Sequence, residues 1–218
     1  MDKLCTIYLV RHGESEGNIN FGNWLHEVQR TKLGSDLTDT GRKQAESLAS
    51  KFNHINFDAI FASHLNRAKH TAEILAKERK MAVVAKEALE ERRKGNLGGK
   101  TEKELREELD IGNIFNYPEN MPVEKIWKWK LFPDMESAEE ALGRFITALR
   151  EIAIAYPNKT VLVVSHGFVM RALLVHLGVG TFRELSSGAI ANTGFVVLRS
   201  DGVDFFIQEI SGIEKRNA

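Results

Sequence analysis

Two runs in this chain, "LCTIYLV" at 4–10 and "TVLVV" at 160–164, are almost wholly apolar and rich in β-branched residues. Each passes straight into one polar residue, a histidine and a glycine: Arg11-His12-Gly13 and Ser165-His166-Gly167. A strand without polar alternation has both faces covered, as strands inside a parallel sheet do. A third run, "FDAIFAS", ends at Ser63. Helical periodicities separate these runs: Ala45, Leu48, Ala49 and Phe52, then Ala68, Ala72, Leu75 and Ala76, then Ala141, Leu142, Phe145, Leu149 and Ile152. The last of these helices opens on a capping box, Ser137 to Glu140, and Thr101 to Glu104 predicts another helix start. "FVMRALLVHLG" reads as a helix stopped at Gly178, and "FVVLRSDGVDFFIQEI" as a hairpin turning at Asp201-Gly202. Strands alternating with helices give the α/β class, here a three-layer α/β/α arrangement with a mostly parallel central sheet. The 218 residues suit one domain over 1–218, interrupted by excursions at 14–37 and 111–135. Those excursions hold Trp24, Trp127 and Trp129, and are expected to act as a cap.

In an open parallel sheet, ligands gather beyond the carboxyl ends of the strands. Arg11, His12 and His166 stand at two such ends, and Arg67 opens the helix that follows the third. Two arginines, two histidines and two helix N-termini suit a dianionic phosphate group. A neutral imidazole is a competent nucleophile, and phosphoryl transfer needs in-line positioning with charge stabilised on the equatorial oxygens. The leaving alcohol needs a proton, and "ALEERRKGNLGGKT" offers Glu90 and Glu91. A general acid here is expected to be kept protonated by burial. "KGNLGGKT" imitates a nucleotide-binding loop, but Lys94 stands where that pattern needs glycine. Zinc is disfavoured by the arginine beside His12 and by the lack of a third ligand at a diagnostic spacing. A non-catalytic phospholigand-binding protein would need neither a nucleophile nor a carboxylic acid. His26, His54, His64, His70 and His176 show no ligand spacing and read as surface or structural. Thirty basic residues balance thirty acidic ones, so no global field draws nucleic acid or a membrane surface. No apolar run is long enough to span a bilayer, and the first residues lack a signal-peptide core. The single cysteine, Cys5, makes no internal disulfide, which points to a reducing cytoplasm.

Five ordered motifs, "LVRHGES" with Asn18, "DLTDTGRKQA", "SHLNRAKHTAEIL", "LEERRKGNLGG" and "VVSHGFVMRALL", resemble the histidine phosphatase superfamily of cofactor-dependent phosphoglycerate mutases and related phosphatases. The resemblance covers nearly the whole chain. It implies a phosphoglycerate mutase-like fold and a phosphomonoester hydrolase of histidine acid phosphatase type, with His12 carrying the phosphoryl group. Arg11, Arg67, His166 and Gly167 would hold that group, Ser15 and Asn18 would line the pocket, and Glu91 rather than Glu90 would be the acid. No cofactor and no metal are implied. The partner is a small phosphorylated metabolite, and a homodimer is compatible with the sequence. The glycine-rich turn has Leu97 and Gly98 where the phosphatase branch often has tryptophan and glutamate. The stretch "IWKWK" lacks the arginine pair of the mutase branch, while "MESAEEALGRF" is closer to the phosphatases. Phosphatase is therefore the first reading and mutase the second. The aromatic residues near Lys128 and Lys130 suggest a substrate with a flat or apolar body, or with a second anionic group.

Overall fold

A computed structural model describes residues 3–19, 33–77, 79–95, 107, 117 and 121–216. Its strands are β1 (Cys5–Arg11), β2 (Ala59–Ser63), β3 (Val83–Lys86), β4 (Thr160–Ser165), β5 (Ile190–Ser200) and β6 (Phe205–Ile213). They form one sheet in the order β3-β2-β4-β1-β5-β6. The first four strands in that order run parallel, and the β5-β6 hairpin closes one side antiparallel. The helices are α1 (Glu16–Ile19), α2 (Asp39–Lys51), α3 (Asn66–Lys77), α4 (Val123–Ile126), α5 (Ala138–Ala155) and α6 (Gly167–His176). The expected α/β class holds, with a mixed sheet. The hairpin turns where expected, with Gly202 at φ 94°.

The pleat divides the core in two. Ile7, Leu9, Val161 and Val163 face the apolar stripes of α5 and α6. Val10, Ile60, Leu162 and Val164 face α2 and α3. Alternate residues of each strand thus meet a different helical layer, which explains why these strands show no polar alternation. Ser137 caps α5 as the sequence predicts, in a complete capping box with Glu140. β3 was not foreseen: it is short, lies on the sheet edge and has no buried residue. The helix expected from Thr101 and Glu104 lies outside the described residues, as do His26, Trp24, Phe21, Leu97, Gly98 and Phe115.

Strand register builds the site. Arg11 is level with Ser165 across the β1-β4 pair, so His12 and His166 leave the sheet side by side. The loop after β1 is then clamped onto the first turn of α2. Thr38 donates its N–H to the Glu14 carbonyl at 3.0 Å, and its hydroxyl caps α2 by accepting from the Gly41 N–H. Backbone meets backbone here. A Cβ on Gly41 would lie 1.9 Å from the Glu14 oxygen, and one on Gly13 would lie 2.5 Å from the Gly41 oxygen. Gly41→Ala should therefore cost about 2–3 kcal/mol in urea unfolding, because no flexible side chain can yield. Gly143→Ala, on the exposed side of α5 with nothing within 4 Å of the added Cβ, should instead stabilise by about 0.5–1 kcal/mol. Equal effects at the two positions would contradict this account of the loop clamp.

Candidate active site

The His12 ring is held in one tautomer. Its Nδ1 lies 2.7 Å from the Gly13 carbonyl oxygen, so Nδ1 carries the hydrogen and donates it. Nε2 keeps its lone pair and accepts from Arg67 Nε–H at 3.1 Å. Burial, then the Arg67 and Arg11 charges, hold the His12 pKa well below the ordinary histidine value. His166 is fully buried with its ring centroid 5.1 Å from that of His12. Burial and then Arg67, His12 and Arg11 lower its pKa in the same way. Both imidazoles are therefore neutral at pH 7.

Strand and helix ends place the two arginines. Arg67 is buried in the first turn of α3, and its carbonyl accepts from the Thr71 hydroxyl at 2.7 Å. That hydroxyl oxygen in turn accepts the Gly13 N–H at 3.0 Å, tying α3 to the loop that carries His12. Burial pulls the Arg67 guanidinium down to about 10, so it stays protonated. Arg11 donates through Nη1 to the Ile190 carbonyl. A Cβ on Gly167 would come within 3.2 Å of Arg11 Nε, so the residue after His166 must be small for Arg11 to lie there.

Glu91 is half-buried, where burial was expected, because it caps the open first turn of α6. Its Oε2 accepts from the Phe168 N–H at 3.0 Å, and its Oε1 from the N–H groups of Val169 and Arg92. Glu90 turns the other way, to Arg93 Nε at 2.5 Å. Ser15 and Asn18 line the pocket and also bond to each other. Asn18 Oδ1 accepts from the Ser15 N–H and hydroxyl at 3.0 and 3.1 Å. Asn192 was not foreseen: its Nδ2 donates to the His12 carbonyl at 3.1 Å and lies 3.3 Å from Asn18 Oδ1.

These groups surround a cavity of about 400 Å³, a size that suits a small ester. The buried side-chain atoms without a hydrogen-bond partner, among the described residues, gather around it. They include Arg11 Nε, Ser35 Oγ and His64 Nδ1 on its wall, with both His166 nitrogens behind His12. Buried polar atoms are normally paired, so this clustering marks a place built to receive polar atoms from elsewhere. His64, expected to be surface or structural, lines the cavity. Lys128 and Lys130 do not line it: Lys128 is exposed, and Lys130 pairs with Glu140 at 2.7 Å. Trp127 packs on Phe182 at 4.9 Å, and Tyr117 bridges Phe182 and Trp129. This aromatic group reaches the cavity through Phe168, which stacks on Phe182, and through Arg171, which lies 5.3 Å from the Phe182 centroid. Among the described residues, no group of three or more histidine, cysteine or acidic side chains could hold a metal ion.

The chain belongs to the histidine phosphatase superfamily (branch 1), whose family model matches residues 7–211. It is 31% identical over 189 residues to the uncharacterized phosphatase PhoE of Bacillus subtilis, covering 87% of this chain and 85% of that one. It is 32% identical to phosphoserine phosphatase 1 of Hydrogenobacter thermophilus, over 78% of this chain and 74% of that one. A 2,3-bisphosphoglycerate-dependent phosphoglycerate mutase of Cytophaga hutchinsonii is 29% identical over 78% and 76%. Among solved structures, Bacillus stearothermophilus YhfR superposes with a TM-score of 0.76 at 26% identity, covering 96% of this chain and 97% of that one.

Two buried neutral histidines make stability depend on pH. Each binds a proton in the unfolded chain below about pH 6.5 but not in the folded one, so stability is full above that value and falls below it. The slope should approach about 1.4 kcal/mol per pH unit for each histidine. Urea midpoints measured from pH 7.5 to 5 should show this fall, and the His12→Gln, His166→Gln double variant should flatten it. A wild-type profile level across that window would mean the imidazoles are not held neutral.

Proposed function

We propose that this protein is a phosphomonoesterase of histidine acid phosphatase type, working through phosphohistidine at His12 on a small phosphorylated metabolite. One observation carries the reading: the neutral His12 ring presents Nε2 as its acceptor, beside two arginines and a second neutral histidine. His12 Nε2 attacks phosphorus and the ester P–O bond breaks. Arg11, whose Nε–H has no partner, the unpaired N–H of the neutral His166 ring, and Arg67 hold the equatorial oxygens. Glu91 passes a proton, brought in by a monoanionic ester, to the departing alcohol oxygen. As a carboxylate it then takes a proton from water, which attacks the phosphohistidine and releases inorganic phosphate. Ser15, Asn18 and Gly167 shape the wall of the phosphoryl site. The guanidiniums already supply the positive charge that a metal would bring, so turnover is expected to be metal-free.

Two further readings follow from the same features. Segments 14–37 and 111–135 are proposed to cover the cavity mouth, with the aromatic group around Phe182 bracing Phe168 from behind. The free, buried Cys5 fits a cytoplasmic protein. Among the described residues, no helix is long and apolar enough to cross a membrane.

Release of phosphate from a panel of phosphomonoesters should persist undiminished in EDTA and be blocked by vanadate, a mimic of the five-coordinate transition state. Activity lost to the chelator and restored by a divalent cation would overturn the metal-free mechanism. Glu91→Gln should slow an alkyl phosphate by about 10²–10⁴-fold, and p-nitrophenyl phosphate far less, because nitrophenolate leaves without a proton. A larger loss from Glu90→Gln than from Glu91→Gln would assign the proton transfer to the other carboxyl.

A further inference from the structure

The segment that carries Glu91 leaves β3 through a short 3-10 turn (Glu87–Leu89) and then runs on as neither strand nor helix. Backbone of this kind has no ladder to take its carbonyls, so partners must come from elsewhere. Here side chains supply them. Ser165, at the end of β4, donates its hydroxyl to the Leu89 carbonyl at 2.7 Å. Arg144, in the second turn of α5, reaches the others. Its Nη1 donates to the Ala88 and Glu90 carbonyls at 3.0 and 3.2 Å, and its Nη2 to the Glu91 carbonyl at 3.3 Å. The carbonyls of four successive residues are thus held, and two of them flank the Glu91 Cα. The remaining donors fix Arg144 itself: Nε and Nη2 meet the two carboxylate oxygens of Glu136 at 3.0 and 2.8 Å, a planar fork on a planar acceptor. A guanidinium has five N–H donors, and these five bonds use them all. Glu136 closes the frame, accepting the Arg93 N–H at 2.8 Å and donating its own N–H to the Arg93 carbonyl at 2.9 Å. Both side chains are 15% exposed, and neither lines the cavity.

We infer that Arg144, braced by Glu136, is a positioning residue for the proposed proton transfer, acting on the substrate only through the placement of Glu91. This deepens the phosphatase reading and rests on it. Peptide units are planar, so orienting the Glu90 and Glu91 carbonyls orients the planes on both sides of the Glu91 Cα, and with them its φ and ψ. The side chain is thereby aimed at the Phe168 and Val169 N–H groups, close enough to act on the charges of Arg11 and Arg67. A displacement of about 1 Å costs a positioned group about 10²-fold in rate. Lysine cannot replace Arg144, because an ammonium has three donors and no fork, and cannot hold a carboxylate and three carbonyls at once.

Two measurements on Arg144→Lys test this. The first compares kcat/KM for propyl phosphate and p-nitrophenyl phosphate, which reports the steps up to departure of the alcohol. Propyl phosphate should slow at least about tenfold and p-nitrophenyl phosphate less than about threefold, because only the first needs a proton to leave. In a Glu91→Gln background the same substitution should change propyl phosphate by less than about threefold, since nothing is left to position. The second is amide hydrogen exchange at Phe168 and Val169, which should speed at least about tenfold while Leu75 and Ala76 in α3 keep their protection. Equal slowing of both esters, a full further loss in the Glu91→Gln background, or unchanged exchange at Phe168 and Val169 would each overturn the inference. Glu136→Gln, which removes the brace and leaves the carbonyl donors in place, should shift both readouts the same way by at least about threefold, and decides the matter by itself if Arg144→Lys does not fold. If Glu91→Gln spares propyl phosphate, the proton-transfer role of Glu91 fails, and the exchange measurement still decides whether Arg144 places that side chain.

Discussion

The structure depends on the parallel pairing of β1 with β4 in a register that sets Arg11 opposite Ser165. That register brings two His-Gly steps, far apart in sequence, to the same level of the same sheet edge. The His12 N–H donates to the Ser165 carbonyl at 3.0 Å, so the ladder runs up to His12 itself. A slip would change which side chains leave the sheet together and carry apolar residues to the wrong helical layer. The hydrophobic pattern that builds the core therefore also fixes the spacing of the two histidines. Gly13 and Gly41 complete the arrangement by allowing backbone contact between the β1 loop and α2.

Burial at this edge has a consistent electrostatic effect. Arg11, Arg67, Arg92 and Arg171 all have lowered pKa values from burial, and the two histidines are held neutral beside them. A region so rich in buried positive charge stabilises an anion strongly, because little water remains to compete. The same charge keeps His12 unprotonated, which leaves its Nε2 lone pair available. The proposed anion binding and the neutrality of the imidazole thus have one cause.

Much of this was legible in the sequence where a physical pattern was local. β1, β2 and β4 announce themselves as apolar runs, and Arg11, His12 and His166 stand out because they end such runs. Arg67 follows from its place one turn after Ser63. β3 was hidden because "VVAK" is short and sits unburied on an edge. Thr71 and Asn192 touch the His12 loop only through strand pairing and helix packing across the chain, which no local pattern encodes. In "EERRK" nothing in the sequence says which charged residue turns toward α6, and the structure turns Glu91 and Arg92 that way while Glu90 and Arg93 pair with each other elsewhere along the cavity wall. Arg171 did carry a signal, as the one charged residue in the otherwise apolar run of α6. The half-burial of Glu91 follows from α6 needing a cap, a demand visible only once the helix start is known.

The central claim is that His12 is held with Nδ1–H on the Gly13 carbonyl, and that the unprotonated Nε2, which accepts from Arg67, is the atom that reacts. The site of phosphorylation on the ring tests it most directly. The protein would be mixed with a phosphomonoester, quenched within milliseconds in base, and the phosphohistidine isomer assigned by phosphorus NMR and peptide mapping. Phosphorus on Nε2 of His12 is the expected result. Phosphorus on Nδ1, or on another residue, would contradict the account.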